Sequence, residues 1–408
     1  MLRRINKNTD TVTEPRPQHS LSLRFSTGTP APTMKPLFRS LSSICSLCSC
    51  VLFMLLLCVL FLKVEINFDQ AALRIFESRS FLSESTPRPH LSGLQATIND
   101  FKCQEKNDSL NGLLKNFPEL HRKFLQYKHC RFFPRLLSPT TCSDDLFLLL
   151  AIKTTAVQVD RRMALRGTWG KQGSINGKLV KLVFLVGQSP DKVKGYPLQK
   201  LLEYENKQFG DILQWDFLDS FFNLTLKEIH FLRWFSQECQ AAKFVLKGDD
   251  DVFAHTSNLV EFLEDYSPSN HLFVGDIISP AFPIRNPADK YYIPMEMYRS
   301  HAYPPYAGGG GYLMSRTTVL GLDQAAQSTE LFPIDDVYVG MCLQKMNVKL
   351  VFHDGFKTFG YRQHITPFNP CIYKDLMVVH KLSTTELWTM WSLVSNLGMS
   401  CNKAVVEA

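Results

Sequence analysis

Three aspartates stand together directly after an apolar stretch: Phe244-Val245-Leu246 leads into Lys247-Gly248-Asp249-Asp250-Asp251. Carboxylates this close repel one another, and a fold keeps them together when a cation neutralises them. Oxygen ligands select a hard ion, Mg2+ or Mn2+, which binds through one or two carboxylates and substrate phosphates. A nucleotide diphosphate fits that arrangement, with the cation balancing its charge as it leaves. The rival is an acidic turn facing solvent; the apolar run before the acids and the further acids downstream weigh against it. An EF-hand loop is excluded because its glycine and terminal glutamate spacing is missing.

A second acidic pair, Asp335-Asp336, follows Phe332-Pro333-Ile334 and opens a segment of helical character, Val337 to Met346. A helix N-terminus stabilises a carboxylate, which suits Asp336 as a fixed general base. Asp335 is either a plain helix cap or part of a sugar-binding site. Upstream, Tyr303-Pro304-Pro305-Tyr306-Ala307-Gly308-Gly309-Gly310-Gly311-Tyr312 reads as aromatic and rigid, then flexible. Glycines there permit close backbone approach, and Tyr306 offers a face to a sugar ring. Tyr306, Gly308, Gly309, Gly310, Gly311 and Asp335 thus form a candidate sugar loop, with a merely flexible loop as the alternative. The run lacks the GxGxxG pattern after a strand, so a dinucleotide site is not expected. Lys153, Arg161, Arg166, Lys227 and Lys247 fall near predicted strand ends or helix starts, where a diphosphate would lie. His380, after Leu376-Met377-Val378-Val379, is a candidate metal ligand, although a lone histidine is as often structural.

The elements that must position these residues alternate. LFLLLAIKT from Leu146 is a continuous apolar run, the mark of a strand buried on both faces, and LVKLVFLVGQ (179–188) is a second. A helix start follows the first in RRMALRGTWG. The segment 191–217 holds a helix and then a short strand. SFFNLTLKEIHFLRWFSQEC is an amphipathic helix, and AKFVLKGDDDVF a third buried strand. Leu113 to Tyr127 has helical spacing. Such a βαβ series predicts an α/β domain with a mainly parallel sheet, which binds ligands at the carboxyl edges of its strands.

The chain has 408 residues and a net charge of +7, without the dense Lys/Arg block that nucleic-acid binding requires, so no nucleic acid is expected. Ile44 to Leu62 is an uncharged apolar run of nineteen residues. At ~1.5 Å rise per residue it is long enough to span a bilayer. The basic residues before it predict a cytosolic N-terminus and a lumenal remainder. A cleaved signal peptide is the alternative, and Met34 is a second possible start. The expected organisation is a cytosolic tail (1–43), a transmembrane anchor (44–62), a stem (63–100) and a lumenal catalytic domain (101–408). Asn107 and Asn223 head N-glycosylation sequons. Seven cysteines follow the anchor, in spacing that favours disulfides over a zinc site and leaves at least one unpaired.

Taken in order, AIKT with RRMALRGTWG, FLVGQ, DFLDSFFNLTLK, FVLKGDDDVF, YYIP, YPPYAGGGGYLMS and IDDVYVGMCLQK resemble the Golgi β1,3-glycosyltransferase family over about 101–401. YYIP, YPPYAGGGG and PIDDVY are most similar to its β1,3-N-acetylglucosaminyltransferase branch. The galactosyltransferase branch more often has Ser in the glycine run and Glu-Asp-Val at the second acid site. The resemblance implies a GT-A type fold, a UDP-GlcNAc donor, Mn2+ or Mg2+, and an inverting transfer to a galactose-ended glycan on glycoprotein or glycolipid. By the same resemblance Asp251 contacts the metal with support from His380, and Asp249 and Asp250 help bind ribose and diphosphate. Asp336 takes the proton of the acceptor 3-hydroxyl. A single-pass type II Golgi membrane protein is implied. Alternatives are a β1,3-galactosyltransferase using UDP-Gal and a catalytically dead lumenal sugar-binding module.

Overall fold

The computed structural model describes residues 103–106, 117–189, 192–193, 196–360, 369–396, 398 and 401. The chain divides into Met1–Ile98 and Asn99–Ala408, and all described residues belong to the second unit. Its strands, in chain order, are β1 (Arg135–Leu137), β2 (Leu146–Lys153), β3 (Gly173–Ile175), β4 (Lys178–Gln188), β5 (Lys192–Val193), β6 (Tyr196–Pro197), β7 (Ile212–Leu218), β8 (Phe244–Asp249), β9 (Val252–Ala254), β10 (Phe273–Ile278), β11 (Tyr306–Ser315), β12 (Val351–Phe352), β13 (Phe356–Lys357) and β14 (Val378–His380). The helices are α1 (Glu119–Tyr127), α2 (Val159–Gly167), α3 (Leu198–Phe209), α4 (Leu224–Glu238), α5 (Thr256–Glu264), α6 (Arg316–Gln327), α7 (Asp335–Lys345), α8 (Pro370–Asp375) and α9 (Thr384–Val394).

Among the described residues the main sheet runs β1-β7-β4-β2-β8-β11-β10-β12, with β3 paired to β4. Strands β7, β4, β2 and β8 are parallel, as the apolar runs of β2, β4 and β8 predict, and β7 adds to them with Gln214 and Asp216 interrupting its apolar residues. β1, β3 and β11 join antiparallel, and β11 also lies antiparallel to β10. The sheet is therefore mixed rather than mainly parallel. Period-2 alternation divides β2 between two cores. Leu149 and Ala151 face one with Phe231 and Phe235 of α4; Leu148, Leu150 and Ile152 face the other with Leu165 and Trp169.

Two elements depart from expectation. Helix α4 is not amphipathic: Thr225 through Leu232, Trp234 and Phe235 are all buried. It is enclosed by the sheet and by α6 over most of its length, and its last turn, with Gln237 and Glu238, meets solvent. The glycine run is not a flexible loop but part of β11, the strand between β8 and β10, where Gly308–Gly311 fill a break in the register between Ala307 and Tyr312.

The expectation of a membrane helix ahead of this domain is corrected. Among the described residues no helix is long and apolar enough to cross a membrane. The run 44–62, with the tail 1–43 and stem 63–100, lies outside the described residues, as does Asn107. Over the described residues the fold class is the α/β domain, and neither a membrane partner nor a single-pass type II topology is carried further.

Three disulfides tie the domain: Cys103–Cys130, Cys142–Cys239 and Cys371–Cys401, which leaves Cys342 free and buried in α7. Cys142–Cys239 closes a separation of 97 residues, joining the approach to β2 to the end of α4. Cross-linking so long a loop restricts the unfolded chain. Replacing both cysteines by serine is expected to lower unfolding stability by about 2–4 kcal/mol, measured by denaturant titration.

Candidate functional site

Register brings the acids together. In the parallel β2–β8 pair, Lys153 lies opposite Asp249, so both strand ends deliver their charge at the same edge. In the antiparallel β14–β9 pair, His380 lies opposite Val252, beside Asp251. Facing them, α7 packs on the start of β11. A Cβ on Gly340 would stand 2.7 Å from the Pro305 carbonyl and 2.9 Å from Tyr306 Cβ, so this close approach needs glycine. The contact sets the first turn of α7, with Asp335 and Asp336, against the glycine strand.

The aspartate triplet divides. Asp249 and Asp251 turn to one side with His380, and one ligand atom from each lies within 4.8 Å of the others. Asp250 turns away: Thr154 Oγ1 donates to it at 2.5 Å and Arg161 Nη1 at 2.8 Å. Burial raises its carboxyl pKa against those partners. Arg161 also stands 3.6 Å from Asp251.

His380 Nδ1 lies 2.7 Å from the Thr358 carbonyl, and a carbonyl only accepts, so Nδ1 carries a hydrogen. Nε2 then points at Asp251 Oδ1, 3.0 Å away. Two lone-pair atoms at that distance need a cation or a shared proton between them. Burial opposes a charge on His380, but Asp251 outweighs it and raises the imidazole pKa. Two carboxylates and one imidazole, oriented from behind by a backbone acceptor, fit a divalent cation that tolerates mixed O and N ligands, such as Mn2+. This cluster is consistent with divalent-cation dependence. A second grouping of candidate ligands among the described residues, Cys103, His129 and Cys130, has its two sulfurs joined in a disulfide.

Asp335 is not the helix cap. Ile334 holds that position without a side-chain cap bond, and Asp335 is the first helical residue. Lys153 Nζ is 2.6 Å from Asp335 Oδ2 and 3.1 Å from Asp249 Oδ1. Burial disfavours the charges, but the ion pairs prevail: Lys153 is raised well above the usual lysine value and Asp335 is lowered. Asp336 goes the other way. Burial, then the Asp335 charge, pushes its carboxyl well above the ordinary range, and its Oδ1 is buried without a hydrogen-bond partner. Neighbouring carboxyls pushed apart in this manner take different roles.

The glycines carry these side chains. A Cβ at Gly308 would stand 2.1 Å from Thr358 Cγ2; at Gly309, 3.0 Å from Asp336 Oδ2 and 3.4 Å from Asp249 Oδ2; at Gly310, 2.8 Å from His380 Cβ. The run is a slot into which both acid groups and the histidine are pressed.

Lys153, Asp249, Asp251, Asp335, Asp336, His380, Tyr306, Gly308 and Gly309 line one cavity of about 880 Å3. Other expected residues are elsewhere. Arg166 is held by Asp211 at 2.8 Å and Glu205 at 2.7 Å, with its guanidinium over Phe209. Lys227 is buried, 2.8 Å from Asp219, and donates to the Thr154 carbonyl. Lys247 points into the core, 2.8 Å from Glu228. These three cations are already paired in the interior, which removes them as free phosphate ligands. Asn223 precedes α4, and its Nδ2 donates to the Leu218 carbonyl at 2.8 Å.

Sequence reasoning missed the opposite wall, formed by Phe221, Phe282, Tyr291 and Tyr303. Phe282 and Tyr291 are exposed although large and apolar, and Lys290 Nζ sits 4.4 Å over the Phe221 ring. The doublets Phe221-Phe222 and Tyr291-Tyr292 were the available signal, since Phe222 and Tyr292 pack on His121 while Phe221 and Tyr291 pack on each other at the cavity. Tyr306 is raised to about 12 by burial and by Asp336.

A family model described as galactosyltransferase matches residues 160–353. A human N-acetyllactosaminide β-1,3-N-acetylglucosaminyltransferase 4 is 51% identical over 296 residues, covering 72% of this chain and 77% of its own. The mouse protein of the same name is 48% identical over 358 residues, covering 86% and 97%. A rat UDP-GlcNAc:βGal β-1,3-N-acetylglucosaminyltransferase 7 is 50% identical over 294 residues, covering 70% and 74%.

Gly310→Ala is expected to displace His380 and weaken Mn2+ binding by roughly tenfold or more, read by calorimetry. Binding at the wild-type level would separate His380 from the metal cluster.

Proposed function

The chain belongs to the galactosyltransferase family, among its β1,3-N-acetylglucosaminyltransferases, and from that premise we propose how its cavity performs the transfer. The protein is an inverting glycosyltransferase that moves N-acetylglucosamine from UDP-GlcNAc in β1,3 linkage to a galactose-ended acceptor. The observation that carries the assignment of roles is the state of Asp336. Its carboxylate has an unpartnered oxygen, lies over Gly309, and faces the cavity that also holds Asp249, Asp251 and His380.

Asp336 serves as the general base. It removes the proton of the acceptor 3-hydroxyl as that oxygen attacks the anomeric carbon from the side opposite the diphosphate. The bond from the anomeric carbon to the phosphate oxygen breaks, its electron pair leaves with UDP, and an α-linked donor yields a β-linked product. Asp251, His380 and Asp249 are the residues that would hold Mn2+ or Mg2+. A cation bound there supplies charge neutralisation for the departing diphosphate. Arg161 and Asp250 are tied to each other beside Asp251 and do not line the cavity, so their role is to hold the acidic cluster and not to bind the nucleotide directly. Lys153 keeps Asp335 and Asp249 in place rather than binding phosphate, because both of its short contacts are to carboxylates. The aromatic wall of Phe221, Tyr291 and Tyr306 receives the acceptor ring, whose C–H faces pack on π surfaces.

Asp336→Asn preserves shape and hydrogen-bonding size but cannot take a proton. It is expected to retain UDP-GlcNAc binding with Mn2+ and to lose about 10²–10⁴-fold in turnover. Wild-type turnover would exclude Asp336 as base.

The pH profile follows from the same group. Asp336 works only when ionised, and its pKa stands well above the usual 3.8. As pH falls through that raised value, activity declines, so the acid limb of kcat/KM is expected above the ordinary carboxylate range. A limb near 4 would contradict the role.

A further inference from the structure

Buried polar atoms without partners mark places where a ligand completes the hydrogen bonding. Among the described residues three such atoms belong to side chains that line the cavity: Asp336 Oδ1, Tyr303 OH and Thr358 Oγ1. The base accounts for the first. Tyr303 packs among Tyr298, Tyr306 and Phe332, at the root of the acceptor wall. Thr358 has no role in the transfer as described above.

Its backbone is fully engaged. The Thr358 amide donates to Asp276 Oδ2 at 3.1 Å, and its carbonyl accepts from His380 Nδ1 at 2.7 Å. Its side chain lies directly on Gly308, where a Cβ would come within 2.8 Å of Oγ1, one residue from the glycine that Asp336 covers. Only 8% of the residue is exposed, so bulk water does not satisfy the hydroxyl. The hydroxyl is thus fixed one residue along the strand from the base and anchored through its own peptide to a residue of the metal cluster.

We propose that Thr358 is a donor-sugar recognition residue, its hydroxyl bonding a polar substituent of the transferred pyranose. This rests on the proposed transferase chemistry. In a displacement with inversion, the donor ring lies between the diphosphate and the base. Thr358 lines the cavity next to both: its carbonyl holds His380 of the metal cluster, and its side chain lies on Gly308, the neighbour of the glycine under Asp336. The acceptor enters on the aromatic side of the same cavity.

Thr358→Val replaces the hydroxyl by a methyl of similar shape and leaves both backbone bonds in place. Calorimetry of the full-length chain with Mn2+ then compares UDP, which lacks the sugar, with UDP-GlcNAc. The expected result is UDP-GlcNAc binding weakened roughly 5- to 100-fold with UDP binding unchanged, and Thr358→Ser restoring most of the loss. Wild-type affinity for UDP-GlcNAc in the valine variant would overturn the proposal. Equal loss of UDP and UDP-GlcNAc would do so too, since it would place the residue's role in holding His380. A rise confined to the acceptor KM would move the contact to the other sugar and likewise overturn it. If the wild-type chain binds neither UDP nor UDP-GlcNAc, the transferase chemistry itself fails together with this inference.

Discussion

Repulsion among carboxylates governs this end of the molecule. Asp249, Asp250, Asp251, Asp335 and Asp336 converge at the carboxyl edge of the parallel strands, and the cations among them are too few to neutralise all five at once. The fold distributes the burden unequally. Arg161 and Thr154 satisfy Asp250, Lys153 joins Asp249 to Asp335, and Asp251 turns to His380. Asp336 is left with burial and a like charge beside it. What remains unpaired is what can react: a carboxylate able to take a proton, and a pocket of ligand atoms able to take a cation.

The glycine strand makes such crowding sterically possible. Three successive glycines accept a threonine, an aspartate and a histidine against bare backbone. Any side chain at Gly309 would drive the base away from the strand, and one at Gly310 would drive off the histidine. Pairing flanks the slot: Tyr312–Ser315 pair with β8, and Tyr306, Ala307 and Tyr312–Met314 pair with β10, while Gly308–Gly311 occupy the break in the β10 register between those pairs, so the slot is a bulge held at both ends.

Much of this was legible beforehand. Apolar runs at Leu146–Ile152 and Phe244–Leu246 announced strands covered on both faces, and the acids that end the second announced the site. The glycine run was read as flexible because glycine has low strand propensity. It is held by the residues on either side of it, which pair with β8 and β10, strands distant in the chain, and no local pattern records that. Arg166, Lys227 and Lys247 were misplaced for a related reason. Charge at a strand end or helix start says that a cation is near the edge, but not which way it turns. Their partners Asp211, Asp219 and Glu228 are distant in sequence or carry no motif. Thr358 and the aromatic wall escaped notice because an ordinary threonine or phenylalanine acquires meaning only from what it faces. The relationship of Lys153 to Asp249 became plain only with the register of β2 on β8.

The sulfur chemistry has a practical bearing on anyone producing the protein. Three bridges and one thiol must sort themselves during folding, and the thiol of Cys342 ends up sealed within α7, where burial raises its pKa and keeps it inert. Before the domain closes, that seventh sulfur competes with the other six of the domain, and the full chain carries four more cysteines ahead of it. A bacterial cytosol, poised to keep thiols reduced, denies the bridges altogether. An oxidising host equipped with an isomerase, or a Cys342→Ala background that removes the competitor, gives the scrambled forms a route back to the native pairing.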